Sequence, residues 1–413
     1  MSDAADTGSR RGFAAFRHRE FTIYWLGQLC QLVAMQMIGV VVGWQVYEIT
    51  SNPLDLGLIG LAEFLPVAFL VLPAGHASDR FERRHVIQIS DFTRALVALA
   101  LLKITYDGAT EVWPFYLLAL ALGVTRAFGA PAGRAMLPDL VPIEHLANAV
   151  AWRSSGFQIS FVAGPALGGL LYALMPVSVY AVAVALLAAS VLLVFAMQPR
   201  PVASSAESPD WTSLVAGIML IRRKPLLLGA ISLDLFAVLL GGVTALLPIF
   251  ARDILMVGPI GLGILRAAPA VGAVIMAVLL AYFPLQRNVG RTLYVAVAIF
   301  GLATIFFAVS NNFALSLLML AILGAADLVS VFVRSTVVPL ATPDNMRGRV
   351  TAVEMVFIGA SNELGMFESG VVAWLIGAVP AALVGGIGTL LVVLLWIRLF
   401  PDLYKVDRLD HRL

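Results

Sequence analysis

Four carboxylic acids, Glu63, Asp234, Asp327 and Glu363, stand inside long apolar stretches of this 413-residue chain. Asp91, Arg94, Arg126, Arg266, Arg334 and Glu368 share that setting. A charge at the centre of a membrane-crossing helix costs about 2.5–3.5 kcal/mol on insertion, so a retained one faces protein or water. Asp91 and Arg94, three residues apart, are expected to compensate each other on one helix face. Asp327 and Arg334 share a face two turns apart. Glu63, Asp234 and Glu363 have no cation at helical spacing within their own stretches. Carboxylates in that position suit reversible proton binding; the competing explanation is a structural role, which the neighbouring Asn362 and glycines favour for Glu363. Gln28, Gln31 and Met35 fall on one stripe, offering amide donors and acceptors beside an adaptable thioether. With Arg126 and Asn362 they are candidates for a small-molecule cavity, and helix packing is the alternative.

The elements that must position these groups are helices in a bilayer. The chain is 60% hydrophobic and 13% charged, with a mean hydropathy of +0.93, too apolar for a soluble globular protein. Crossing about 30 Å of hydrocarbon takes roughly 20 helical residues. Runs of that kind cover residues 21–47, 54–75, 85–104, 112–133, 147–172 and 177–197, then 226–250, 259–283, 292–309, 313–333, 349–374 and 379–400. None alternates apolar and polar residues as a barrel strand would. The expected fold class is an all-α membrane protein of twelve transmembrane helices in two pseudo-symmetric six-helix bundles.

Arginines and lysines recur at every second junction, at Arg80, Arg83 and Arg84, at Arg134, at Arg200 to Lys224, at Arg287 and Arg291, at Arg347 and Arg349, and at the C-terminus. Basic residues mark the inner side, so both termini are expected to be cytoplasmic, consistent with an even number of spans. The first run is too long for a signal-peptide core. A Pro- and Ser-rich stretch begins at residue 198, followed by the short amphipathic WTSLVAGIMLIRRKP. The expected organisation is therefore residues 1–197, a cytoplasmic linker with an amphipathic segment at 198–225, and residues 226–413. The halves echo each other: Arg134 precedes Pro142 and Glu144 as Arg334 precedes Pro343 and Asp344. Such duplication is common among carriers with a site between repeats.

The stretch PAGHASDRFERRHV places Gly75, Asp79, Arg80, Arg83 and Arg84 between the second and third runs. This resembles the loop signature G-x-x-x-D-R-x-G-R-R of the major facilitator superfamily, with Glu82 where a glycine is usual. In the fifth run Gly156, Gly164, Pro165, Gly168 and Gly169 look like the superfamily's antiporter motif. RAFGAPAGRAMLPDLVP and IGASNELGMFESG extend the likeness to the bacterial enterobactin-exporter branch. Arg126, in TRAFG, only partly matches the fourth-helix arginine motif. The resemblance implies that the charged loop latches the inner face, with Asp79 meeting a helix N-terminus near Arg349, and that the glycine stripe forms a leak-tight seam. It implies a proton-coupled exporter of a small amphipathic molecule such as a siderophore, drug or metabolite, working by alternating access in a bacterial inner membrane.

Rival classes find little in the chain. The five histidines lie near run ends and form no H-E-x-x-H pair, and no phosphate-binding loop occurs. One cysteine, Cys30, cannot make an intramolecular disulfide. A net charge of +2 gives no reason to expect nucleic acid. The expected partners are a small-molecule substrate, protons and the lipid bilayer, with no cofactor, no metal, no enzymatic activity and a monomeric state. A uniporter or importer, including a lysolipid carrier, is the alternative, and a non-transporting sensor a remote one.

Overall fold

The computed structural model describes residues 12–198 and 211–407, so residues 199–210 of the expected linker lie outside the described residues. Six long helices come first: α1 Arg19–Thr50, α2 Pro53–Arg80, α3 Arg83–Tyr106, α4 Trp113–Leu140, α5 Ile143–Leu174 and α6 Pro176–Phe195. Then follow α7 Trp211–Arg223, α8 Pro225–Gly241, α9 Gly258–Tyr282, α10 Val289–Ala308, α11 Phe313–Ala341, α12 Arg347–Ile376 and α13 Ala378–Leu399. Among the described residues, eleven segments are long and apolar enough to cross a membrane. The remaining expected span, α12, is 30 residues long but carries Arg347, Arg349, Glu354, Glu363 and Glu368.

The seventh span is not one continuous helix. α8 stops at Gly241, and a 3₁₀ turn at Val243–Leu246 and a π-helical turn at Phe250–Ile254 complete it. A break inside a bilayer needs partners for the freed carbonyls. Thr389 Oγ1 donates to the Ala237 carbonyl at 3.2 Å and Ser369 Oγ to that of Gly242 at 3.0 Å.

Packing divides the chain into two compact units. One comprises Met1–Val42 and Leu65–Ser208, the other Gly43–Phe64 and Pro209–Leu413. The division differs from a simple cut at the linker because the α1–α2 turn packs within the second unit. There Tyr47 Oη donates to Asp253 Oδ2 at 2.5 Å, Arg252 Nη1 donates to the Tyr47 carbonyl at 2.8 Å, and Gly57 lies against the backbone of Phe367 and Gly370.

Within each unit the helices repeat a plan. α3 packs on α4 and α6, and α10 packs on α11 and α13. Pro142 precedes α5 with φ −59° and ψ 157°, and Pro343 precedes the turn into α12 with φ −56° and ψ 143°. The paired junctions seen in the sequence thus share a backbone conformation. α7 lays Gly217 against the Arg349 carbonyl and Val353 of α12, while Arg222 and Arg223 stay exposed.

In the first unit the residues before α1 are strapped onto α5. Asn148 accepts from the Ala15 amide and donates to the Gly12 carbonyl, both at 2.9 Å, and Trp152 Nε1 donates to the same carbonyl. Phe13, Phe16, Phe21, Trp25 and Trp152 stack into one aromatic cluster. His18 and His145 meet ring to ring, Nε2 to Nδ1, at 2.8 Å.

Candidate functional site

Two buried charged clusters, one in each unit, differ in how completely they are satisfied. In the first unit Arg94 Nη1 donates to Asp91 Oδ1 at 2.5 Å. Its Nε and Nη2 reach the hydroxyl and carbonyl of Thr125 at 3.1 Å. Ser190 Oγ closes the other Asp91 oxygen at 2.7 Å. The spacing-based expectation of a compensating pair agrees with this network, which ties α3 to α4 and α6. A buried ion pair whose remaining atoms are hydrogen-bonded is built to hold a fold.

The second cluster is open. Arg334 of α11, 3% exposed, places Nη1 3.0 Å from Asp234 Oδ2 of α8 and 3.8 Å from Glu354 Oε1 of α12. Neither its Nε nor its Nη1 makes a hydrogen bond among the described residues, so Nη1 meets both carboxylates as an ion pair only. Beside it a cavity of about 10 Å³ is lined by Asp234, Asp327 and Ser330 on one side and Val297 and Phe300 on another, room for about one water molecule. Two carboxylates therefore pair with a single guanidinium, and a third, Asp327, lies in its electrostatic reach. Asp234, expected to lack a cation, has one supplied by another helix. That pairing was invisible to helical spacing because the partners stand a hundred residues apart.

Glu63 and Glu363 were likewise expected to lack a cation within their own spans. Within the second unit Arg266 of α9 lies in electrostatic reach of both. Glu363 is buried at 5% exposure, whereas the adjacent Asn362 is exposed and donates Nδ2 to the Ile358 carbonyl at 2.8 Å. One amide donor of Asn362 is thus engaged by its own helix.

The charged loop is shorter than its resemblance suggests. Only Phe81 and Glu82 separate α2 from α3, and Glu82 has φ −58°. No left-handed residue is needed, which is the physical reason the usual glycine can be absent. Arg83 Nη1 donates to the Ala135 carbonyl at 2.8 Å and to Asp139 Oδ2 at 2.5 Å, near the C-terminal end of α4. Arg84 bonds the carbonyls of Val194 and Phe195 at the end of α6 and lies over the Phe195 ring. Cations placed on helix C-termini satisfy orphan carbonyls and complement the dipole. Arg80 is exposed, and Gly75 has open space around it. The Asp79 side chain lies outside the described residues. We expect Arg84→Ala to lower the thermal stability of the purified protein by about 1–3 kcal/mol, through two charge-assisted bonds lost together. An unchanged melting temperature would remove the capping role.

The glycine stripe of α5 faces α1 of the same unit. A methyl on Gly164 would come 2.5 Å from Gln36 Cβ, and one on Gly168 would come 3.1 Å from Met37 Cα. Gly156 lies under Trp25, and Pro165 and Gly169 are buried. The small residues let two backbones approach within one bundle. Gln28, Gln31 and Met35 are half-buried on α1 and Arg126 is exposed on α4. All four belong to the first unit, and the Arg334 cluster belongs to the second. Glu354 and Ser330 were missed by the sequence reading. For Glu354 the one available signal was its place among the five charges that set α12 apart from the other spans.

The sequence matches the model of a family described as transmembrane secretion effector over residues 10–412. It is 26% identical to the enterobactin exporter EntS of Salmonella typhimurium (strain LT2) over 395 residues, 94% of each chain. With the uncharacterised MFS-type transporter YfiS of Bacillus subtilis (strain 168) it shares 27% identity over 213 residues, 50% of this chain and 48% of that protein. In fold it superposes on the nucleoside transporter NupG with a TM-score of 0.71 at 15% identity, covering 92% of this chain and 98% of that one. Eleven apolar helical spans among the described residues and a family match along almost the whole length agree: the chain belongs to the transmembrane secretion effector family of the major facilitator superfamily and is an integral membrane transporter.

Proposed function

We propose that this transporter exports a small amphipathic molecule in exchange for protons, by alternating access. Its place is a bacterial cytoplasmic membrane, with both termini in the cytoplasm, and it works as a monomer. The observation that carries the proton reading is the open cluster of the second unit. Asp234, Asp327 and Glu354 outnumber Arg334, and a water-sized cavity reaches two of them. Excess buried carboxylate attracts protons, and incomplete satisfaction lets them leave again. The direction of transport rests on likeness to an enterobactin exporter. Asp79, Arg80, Arg83 and Arg84 are proposed to contribute to an inner latch. Glu63, Glu363, Gln28, Gln31, Met35, Arg126 and Asn362 are proposed to line or tune the path.

Proteoliposomes test this. Labelled enterobactin should accumulate on the acidic side of a membrane bearing an imposed pH gradient, and Asp234→Asn should abolish the acceleration while counterflow exchange persists. Equal rates with and without the gradient would leave a uniporter. No movement of enterobactin in either condition would reject it as substrate, and metabolites retained by cells lacking the protein would then name the class.

A further inference from the structure

Arg334 Nη1 serves two carboxylates from different helices, Asp234 at 3.0 Å and Glu354 at 3.8 Å. Exposure rises through the cluster, from 3% for the Arg334 side chain to 7% for Asp234 and 13% for Glu354. Glu354 stands about two turns into α12, and at the start of that helix Arg347 pairs with Asp344 and bonds the Pro339 carbonyl. Glu354 therefore lies between the cavity wall and the charged collar at that end of the unit. The groups facing Arg334 are Asp234 from α8, Asp327 and Ser330 from α11, and Glu354 from α12, while α10 contributes Val297 and Phe300 to the cavity wall.

Two carboxylates competing for one guanidinium nitrogen form a two-position device. When Asp234 carries the proton its charge is gone, and Arg334 gains by turning fully to Glu354. When the proton passes on to Glu354, Arg334 returns to Asp234. The net charge of the cluster is the same in both positions, with Asp327 unchanged throughout, so the exchange adds no further buried charge at either stage. Neither Nε nor Nη1 of this side chain, only 3% exposed, makes a hydrogen bond among the described residues, so no directional bond fixes the guanidinium on either carboxylate.

We propose that Glu354 is the proton-release residue of this site. It accepts the proton from Asp234 by way of water and passes it to the solution at the α12 end, with Arg334 resting on whichever carboxylate is ionised. The proton leaves one carboxyl oxygen and joins the other, and no further reactant is needed. This rests on the proton-exchange reading above.

Infrared spectroscopy on the full-length protein in lipid nanodiscs separates the two. The wild type should show a protonated-carboxyl band that titrates with pH, and Asp234→Asn should remove part of it. Glu354→Gln should leave the Asp234 band in place but slow its hydrogen–deuterium exchange about a hundredfold, the effect of a lost acid–base group, and Glu354→Asp should restore the rate. Exchange at the wild-type rate in Glu354→Gln would overturn the release role while keeping the proton site. A wild-type band that never titrates would instead overturn the proton reading itself. Should Glu354→Gln fail to fold, the wild type still decides. A hydrophobic carbodiimide, which attacks protonated carboxyls, should modify Asp234 or Glu354 but not both in one molecule. Doubly modified chains, or none modified at Glu354, would reject the device.

Discussion

Arg334→Met should be the most damaging single substitution in the second unit. It removes the cation that pairs with Asp234 and Glu354 and acts on Asp327, and leaves the buried Asp234 carboxylate behind it. Breaking a buried pair from one side costs about 3–5 kcal/mol, because the desolvated partner keeps its charge. Thermal unfolding in detergent should show a large fall in melting temperature at neutral pH. The defect should shrink as the pH is lowered, since protonation neutralises what the arginine no longer compensates. Pairing the change with Asp234→Asn should recover much of the loss, as removing both members of an ion pair is far milder than removing one. If the single variant melts like the wild type at neutral pH, the carboxylates carry no charge there and the account of the cluster fails.

The second large effect belongs to Gly324→Ala. A methyl at Gly324 of α11 would land on the Pro269 carbonyl of α9, and Gly272 of α9 meets the Ala321 carbonyl in the same way. Both obstacles are backbone atoms, which cannot rotate aside as a side chain would. The two helices would have to separate, costing about 1–3 kcal/mol of overpacking or more. Gly75→Ala is the control: it alters a residue of the superfamily signature, yet its added methyl meets nothing within 4 Å. Measured side by side by thermal shift, Gly324→Ala should lose stability and Gly75→Ala should not. The reverse order would contradict the α9–α11 crossing.

These cases show where sequence reasoning reaches and where it stops. Span number and order were legible because the bilayer demands about 20 apolar residues per crossing. The pairing of Asp91 with Arg94 was legible because both lie on one face of one helix. The pairing of Asp234 with Arg334 was not, since it depends on how α8 meets α11. The break after Gly241 was hidden as well: LLGGVTALLPIF is apolar enough to read as continuous helix, and what permits the break is Thr389 and Ser369, more than a hundred residues away. The glycine stripe of α5 was legible as a close approach, but periodicity could not say that α1 would be its neighbour. The tip of the α1–α2 turn was expected with the first six spans, and contacts through Tyr47, Gly57 and Arg252 place it in the second unit.

The strap before α1 bears on how this transporter is handled at the bench. The Gly12 carbonyl receives donors from both Asn148 and Trp152, and Phe13 and Phe16 stack on Trp152. An affinity tag or fluorescent fusion should therefore leave residues 12–18 in place. Trimming the chain to the start of α1 would strip one hydrogen-bond acceptor, the Gly12 carbonyl, one donor, the Ala15 amide, and two aromatic rings from α5, and the shortened protein would report on a damaged bundle rather than on transport.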